Sequence, residues 1–207
     1  MIALITKDLL TMKKLGIRVC VILVLYAFIF SSFGSVAFLS AFIIIFSAML
    51  IVNAFAYDEL AKWDTYALSL PVTKKQIVLS RYLLGFLFDT AGYILSILLG
   101  LVSGNLDSEL SAIAYCFFAA SLFITALMLP FLYKFGTQKA RIWIMMFFIM
   151  PTVGAALLKK LGINLSVFTT ISESTAEFLV AIFLPVSLLL YAGSYFLSCR
   201  IFQNKEI

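Results

Sequence analysis

Apolar residues run along this chain in six long blocks separated by short polar breaks. The blocks cover residues 17–33, 36–56, 82–102, 110–133, 142–158 and 178–199. A bilayer core takes about 20 mostly apolar residues per helix, so each block predicts one membrane-spanning helix. Little chain is left over, and the expected fold is all-α: a single transmembrane domain over residues 1–207 with six spans.

Ahead of the first block, Ile2, Ile5, Leu9 and Met12 recur at helical spacing, with Lys7, Thr11 and Lys14 opposite them. This predicts an amphipathic helix within residues 1–16, lying at the inner membrane surface; a frayed polar leader is the alternative. Short breaks around Gly34 and over residues 104–109 predict outer turns joining antiparallel hairpins. The segment 159–177 is too polar to span yet keeps Leu161, Ile163, Leu165, Val167 and Phe168. Short helices re-entering the outer leaflet and a plain loop both fit it. Pro130, Pro151 and Pro185 fall within or at the ends of the last three blocks, where a missing N–H permits a kink.

The longest inner break, residues 57–81, has a pattern of its own. From position 58 to 70, Leu60, Trp63, Ala67 and Leu70 recur at i, i+3, i+7 and i+10, opposed by Glu59, Lys62 and Thr65. That predicts a short amphipathic helix parallel to the inner surface. Pro71 ends it, and Thr73 with Gln76 fits a capping box that starts a new helix running straight into the third span. The product is a bent elbow joined to one membrane helix. It can pass force from a soluble partner, or it can anchor Trp63 and Tyr66 at headgroup level.

Composition supports the membrane reading. The chain is 64% hydrophobic and 12% charged, where soluble domains are about a quarter charged, and its mean hydropathy is +1.13. Lys13 and Lys14 before an apolar run also fit a signal peptide, but the next block follows within a few residues in the same style, which favours a first span. With the N-terminus inside, thirteen of the fifteen Lys and Arg lie on the inner side and only Lys159 and Lys160 lie outside. Positive charge is retained on the cytoplasmic side in short loops, so both termini are expected there. The basic residues are spread over every inner break, which makes the net charge of +5 a topology signal and not a nucleic-acid patch. Cys20, Cys116 and Cys199 offer no outer pair for a disulfide and read as packing residues.

Candidate chemistry is sparse. The chain has no His, which excludes the metalloprotease His-Glu-x-x-His pattern and Ser-His or Cys-His nucleophiles. It has no G-x-x-x-x-G-K-[ST] phosphate loop, so it is not an ATPase. Asp89 is the one acidic residue well inside a block, about 12 Å beyond Arg81 at 1.5 Å per residue. An isolated charge there costs about 2.5–3.5 kcal/mol on insertion scales. Asp89 is therefore expected to face the protein interior, water, or a cation such as Arg141 or Lys134. It is a polar point on a translocation path or a bond holding helices together; Asn53 in the second block is read the same way.

The acidic pair at 58 and 59, then Trp63, then Tyr-Ala-Leu-Ser-Leu-Pro-Val-Thr-Lys-Lys from 66 and Ile-Val-Leu-Ser-Arg-Tyr-Leu from 77 resemble the loop between the second and third spans of type-2 ATP-binding-cassette exporter permeases, especially small bacterial ones. Residues 58–83 carry the specific part of the likeness; the architecture is shared with many membrane proteins. The resemblance implies a dimer of permeases, identical or paralogous, on two ATPase subunits that bind the ATP and Mg. It implies no cofactor on this chain and no nucleic-acid partner. Carried over by position, Trp63, Asp64, Thr65, Tyr66, Ala67, Leu68 and Ser69 would be the ATPase-docking coupling helix, and Pro71, Thr73 and Gln76 its junction with the third span. The small residues Ser31, Ser32, Gly34, Ser35, Ala37, Ser40, Ala41, Ser47 and Ala48 are expected at the dimer interface, since small side chains let helices approach. Some permeases that look like this one export amphipathic peptides; drug, lipid and ion cargo stay open, as does the contrasting reading of a non-transporting immunity or sensor-scaffold protein.

Overall fold

The computed structural model of the chain describes residues 2–13, 15–18, 21–22, 25, 36–67, 71–102, 104, 108–160 and 173–204. Its helices are α1 (Ile2–Thr11), α2 (Val36–Leu60), α3 (Trp63–Ala67), α4 (Lys74–Val102), α5 (Ser108–Lys160) and α6 (Glu173–Gln203), and the described residues include no strand. Four stretches are long and apolar enough to cross a membrane: Ser40–Leu60, Lys74–Val102, Leu110–Ala140 and Val180–Gln203. They match the second, third, fourth and sixth expected spans. Much of the first, 17–33, lies outside the described residues. The fifth, 142–158, is helical backbone within α5.

The inner break expected between the fourth and fifth spans is not a loop. Helix α5 passes through it in two arms that meet at Gly136, whose φ of 76° and ψ of 174° leave the helical region. That conformation is essentially confined to glycine, so the break falls there and not at Pro130 or Pro151. Of the outer segment 159–177, residues 161–172 lie outside the described residues, while its ends belong to α5 and α6.

Packing centres on one face of α4. Gly85, Asp89, Gly92, Ser96 and Gly100 recur at spacings of three and four and are all buried. The glycines bring neighbours close: a Cβ on Gly92 would lie 2.8 Å from Ser47 Cβ on α2, and one on Gly85 would lie 3.0 Å from the Tyr191 hydroxyl on α6 and 3.3 Å from Thr125 Cγ2 on α5. Helices α2, α5 and α6 thus converge on the small-residue stripe of α4, where dispersion contacts stand in for a hydrophobic driving force that lipid does not supply.

This corrects one expectation. Ser40, Ala41, Ser47 and Ala48, expected at a dimer interface, are buried inside the chain's own bundle. Their small size serves the approach of α2 to the rest of the fold. Ser31, Ser32, Gly34 and Ser35 lie outside the described residues, as does the side chain of Ala37.

Candidate functional site: the inner junction and the membrane seam

At the inner end of the bundle the elbow differs from the helix expected over 58–70. Helix α2 continues through Asp58 and Glu59 to Leu60, and the chain then turns at Ala61 and Lys62. Lys62 takes a left-handed φ of 50°, the conformation that commonly ends helices, and Thr65 N–H returns to Lys62 O at 3.2 Å to open α3. The apolar pattern is there, but the helix breaks between Leu60 and Trp63 because the acidic pair is held to the bundle.

Asp58 carboxylate oxygens meet Arg81 Nη2 of α4 and, at 2.8 Å, Lys7 Nζ of α1. Asp8 of α1 meets Lys7 Nζ at 2.8 Å and Arg81 Nη1 at 3.0 Å, as ion pairs. Two carboxylates and two cations thus close a charge-balanced network joining three helices, with Asp8 and Arg81 almost wholly buried. The Arg81 guanidinium also sits 5.1 Å from the centre of the Phe55 ring. Glu59 turns the other way: its Oε2 accepts from the Thr137 backbone N–H at 2.9 Å and from the Thr137 hydroxyl, just past the break in α5. Glu59 so caps the free N–H groups where the second arm of α5 begins. The acidic pair therefore ties the end of α2 to α1, α4 and α5 at once. A cavity of about 100 Å³ lined by Asp58, Glu59, Arg81, Tyr133 and Thr137 leaves this junction room to rearrange.

Helix α1 turns a mixed face toward the bundle. Leu4, Asp8 and Met12 are buried, while Leu9 and Leu10 are exposed, which suits a helix whose apolar side rests in the lipid surface. Sequence periodicity sorted residues by polarity; the ion pair with Arg81 carries the polar Asp8 inward.

The expected docking residues divide. Trp63 is half-buried against the core, with Lys7 Nζ 3.9 Å from its ring centre, a cation–π contact. Ala67 is fully buried. Thr65 and Tyr66 face outward, Tyr66 at 64% exposure, and so does Leu60 at 83%, a residue at the very end of α2. Asp64 lies within α3, and Leu68 and Ser69 lie outside the described residues. Pro71 is exposed. Both bonds of the capping box are present: Gln76 N–H donates to Thr73 Oγ1 at 3.3 Å and Thr73 N–H to Gln76 Oε1 at 3.0 Å. Lys74, one residue on, donates to Gln203 O at 3.2 Å, fastening the start of α4 to the end of α6.

Deeper in the membrane, a seam of polar groups joins α4 to α5 and α6. Tyr191 hydroxyl donates to Tyr82 O at 2.6 Å, and Tyr82 hydroxyl shares hydrogen bonds of 2.7 Å with Ser194 and Ser198. Ser194 Oγ donates in turn to Ala126 O. Asp89 sits above this group, completely buried, 3.0 Å from Thr125 Oγ1 through its Oδ2. Its partner is a hydroxyl, and Lys134, one of the two cations expected beside it, is exposed, 5.2 Å from the Phe135 ring centre, while the side chain of Arg141, the other, lies outside the described residues. Asn53 donates to Met49 O of its own helix at 3.3 Å and is half-buried, apart from the seam. Along the inner half of α5 and α6 an apolar groove of about 950 Å³ runs between Phe123, Leu127, Phe131, Leu189 and Leu197, with Lys134 and Asn204 at its inner rim. Among the described residues no cluster of His, Cys, Asp or Glu could hold a metal ion.

A family model described as ABC-2 family transporter protein matches residues 3–203. No curated protein and no solved structure matches the chain.

Proposed function

Since the chain belongs to the ABC-2 transporter family and is thereby a permease subunit of an ABC transporter, we propose that it is an exporter permease of the bacterial cell membrane, coupled to its ATPase through the junction at the end of α2. The observation that carries the coupling is the grip of Asp58 and Glu59 on three helices directly beside the exposed elbow. ATP and Mg bound by the cytoplasmic ATPase subunits drive their closure. That movement pushes the elbow, and the junction hands the push to α4 through Arg81 and to the break in α5 through Thr137.

On this reading the chain spans six times with both termini inside, and a second permease copy, identical or paralogous, completes the path. Leu60 and Tyr66 are the anchors that an ATPase cleft would grip, because exposed apolar groups at the inner end mark a protein contact, and Trp63 braces the elbow from behind. Thr65 and the stretch from Asp64 to Ser69 form the rest of the contact, with Pro71, Thr73 and Gln76 as its joint to α4. The cargo is an amphipathic peptide moved by alternating access; the apolar groove with a basic rim between α5 and α6 supports a cargo that enters sideways from the bilayer or its inner surface. Asp89 and Asn53 remain polar points toward which such a path would open.

The test is co-purification of the cassette ATPase that associates with the wild-type permease, made with Leu60→Ala and Tyr66→Ala together. Truncating a central anchor typically costs about 2 kcal/mol or more of binding. ATPase recovery should fall by roughly tenfold or more on that scale, with the membrane helices still folded. Unchanged recovery and unchanged cargo-stimulated ATP hydrolysis in proteoliposomes would refute the coupling surface.

A further inference from the structure

Asp89 raises a question of hydrogen counting. Thr125 Oγ1 lies 2.8 Å from Ser121 O and 3.0 Å from Asp89 Oδ2, yet a threonine hydroxyl carries a single hydrogen. That hydrogen can go to Asp89, which leaves the Ser121 carbonyl with its ordinary helical N–H partner, or to Ser121 O, which leaves nothing for a carboxylate. In the second case two acceptors would face each other across 3.0 Å inside the membrane. A hydrogen on Asp89 removes the conflict, because the carboxyl O–H then donates to Thr125 Oγ1 while the threonine donates onward to Ser121 O.

The surroundings point the same way. Asp89 Oδ1 is buried with no hydrogen-bond partner, a cost far smaller for the carbonyl oxygen of a neutral acid than for half of an ionised carboxylate. No ion pair with Asp89 occurs among the described residues. Thr125 and Ser121 of α5 are its hydrogen-bonding neighbours, and the Tyr191 hydroxyl of α6 is near enough to interact with it electrostatically; Ile51 and Ser47 of α2 pack on Gly85 and Gly92, about one turn to either side along α4. Ser47 and Tyr191 give their hydrogens to the Ile44 and Tyr82 carbonyls, while Ser121, 2.8 Å from the Phe118 carbonyl, also has its side chain within hydrogen-bonding reach of Asp89. On its own helix the nearest cation, Arg81, lies about 12 Å toward the inner end at 1.5 Å per residue and is engaged by Asp8 and Asp58. Tyr82, between them, is bonded to Ser194 and Ser198.

We propose that Asp89 is a proton-binding site: in this arrangement it is a neutral acid whose proton bridges α4 to α5 through Thr125, and it gives that proton to water when the two helices part. The second half rests on the alternating-access reading; the first does not. A proton taken up on closing and released on opening makes the seam a device that responds to the acidity on whichever side it opens to.

The test is infrared spectroscopy of the full chain in lipid vesicles near pH 7, comparing wild type with Asp89→Asn. A C=O stretch of a protonated carboxylic acid should be present in the wild type and lost in the variant, and Thr125→Val should shift that band upward by removing its acceptor. Absence of the band from the wild type, or a band that Thr125→Val leaves in place, overturns the proposal. Should Asp89→Asn fail to fold, the difference spectrum between wild type and Thr125→Val supplies the readout: a loss paired with an upshifted gain is expected in the carboxylic-acid C=O region, and a flat difference there overturns the proposal. Since neither readout involves transport, a protonated Asp89 in a chain that moves no cargo would count against the permease reading and leave the site standing.

Discussion

The inner junction and the membrane seam both bury carboxyl groups, and they keep them by opposite means. At the junction Asp8 and Asp58 share Lys7 and Arg81, so charge is cancelled by charge across three helices. In the seam Asp89 is as deeply buried as Asp8 but meets hydroxyls, those of Thr125 and Ser121, and no cation among the described residues. The difference follows from depth. Near the membrane surface a long Lys or Arg side chain can reach a carboxylate while its stem packs on apolar surface, and water lies a short way off. Farther in, a cation would itself need desolvating, and losing the negative charge to a proton is the smaller cost. Junction bonds are thus strong and hold helices in register; the seam bond is weak and reversible.

The largest effect should come from breaking the junction at its shared cation. Arg81→Met leaves Asp8 and Asp58 with Lys7 alone, and stranding one side of a buried ion pair typically costs about 3–5 kcal/mol. We expect a large loss of folded protein in detergent, read by thermal unfolding and by the yield of monodisperse material. Adding Asp8→Leu and Asp58→Asn to Arg81→Met should recover most of the loss, because replacing a whole buried network by packed neutral groups is often close to neutral. If the single variant is as stable as wild type, the network is ornamental and the contrast with the seam collapses.

The sequence made much of this legible and hid the rest for definable reasons. Apolar block length placed α2, α4, the first arm of α5 and α6, and local chemistry placed the capping box of Thr73 and Gln76, because those signals sit within a few neighbouring residues. Arg81 read as a topology charge and Glu59 as a solvent-facing position, since their partners, Asp8 and Thr137, stand 73 and 78 positions away. The one local hint was the acidic pair itself: two carboxylates at the inner end of a span, where cations are the rule. The Ser and Ala positions of the second span misled in the other direction. Small residues announce close packing but not the partner, and here the partner is α4 of the same chain.

A middle-sized effect should follow from Gly136→Ala. The φ of 76° and ψ of 174° there belong to a region that costs other residues about 1–3 kcal/mol, and the new Cβ would stand 3.2 Å from Glu59 Oε1. The substitution should straighten or displace the break in α5 and loosen the grip of Glu59 on Thr137. We expect a moderate drop in thermal stability together with a fall in transport per ATP hydrolysed, since the elbow would stay connected to α4 but not to α5. Equal losses in transport and hydrolysis would mean that this branch of the junction carries no coupling of its own.

The smallest effect should come from the substitution that sharpens the comparison most, Asp→Asn made once in each region. At Asp58 it removes a charge that two cations need, leaving the network with one carboxylate for Lys7 and Arg81, and a loss in stability should follow. At Asp89 the same change replaces one neutral hydrogen-bonding group by another of nearly equal size, since the amide N–H₂ can donate to Thr125 Oγ1 where the acid O–H does. No charge is stranded by this exchange, so Asp89→Asn should lose less stability than Asp58→Asn, its cost confined to finding a partner for the second amide hydrogen. An amide cannot take up or release a proton, however, and the dependence of transport on pH should flatten in this variant while its fold is retained. Were Asp89 ionised and held by an unseen cation, Asp89→Asn would strand that cation and match Asp58→Asn in its cost. Thermal unfolding of the two variants side by side therefore separates a carboxyl kept by charge from one kept by a proton.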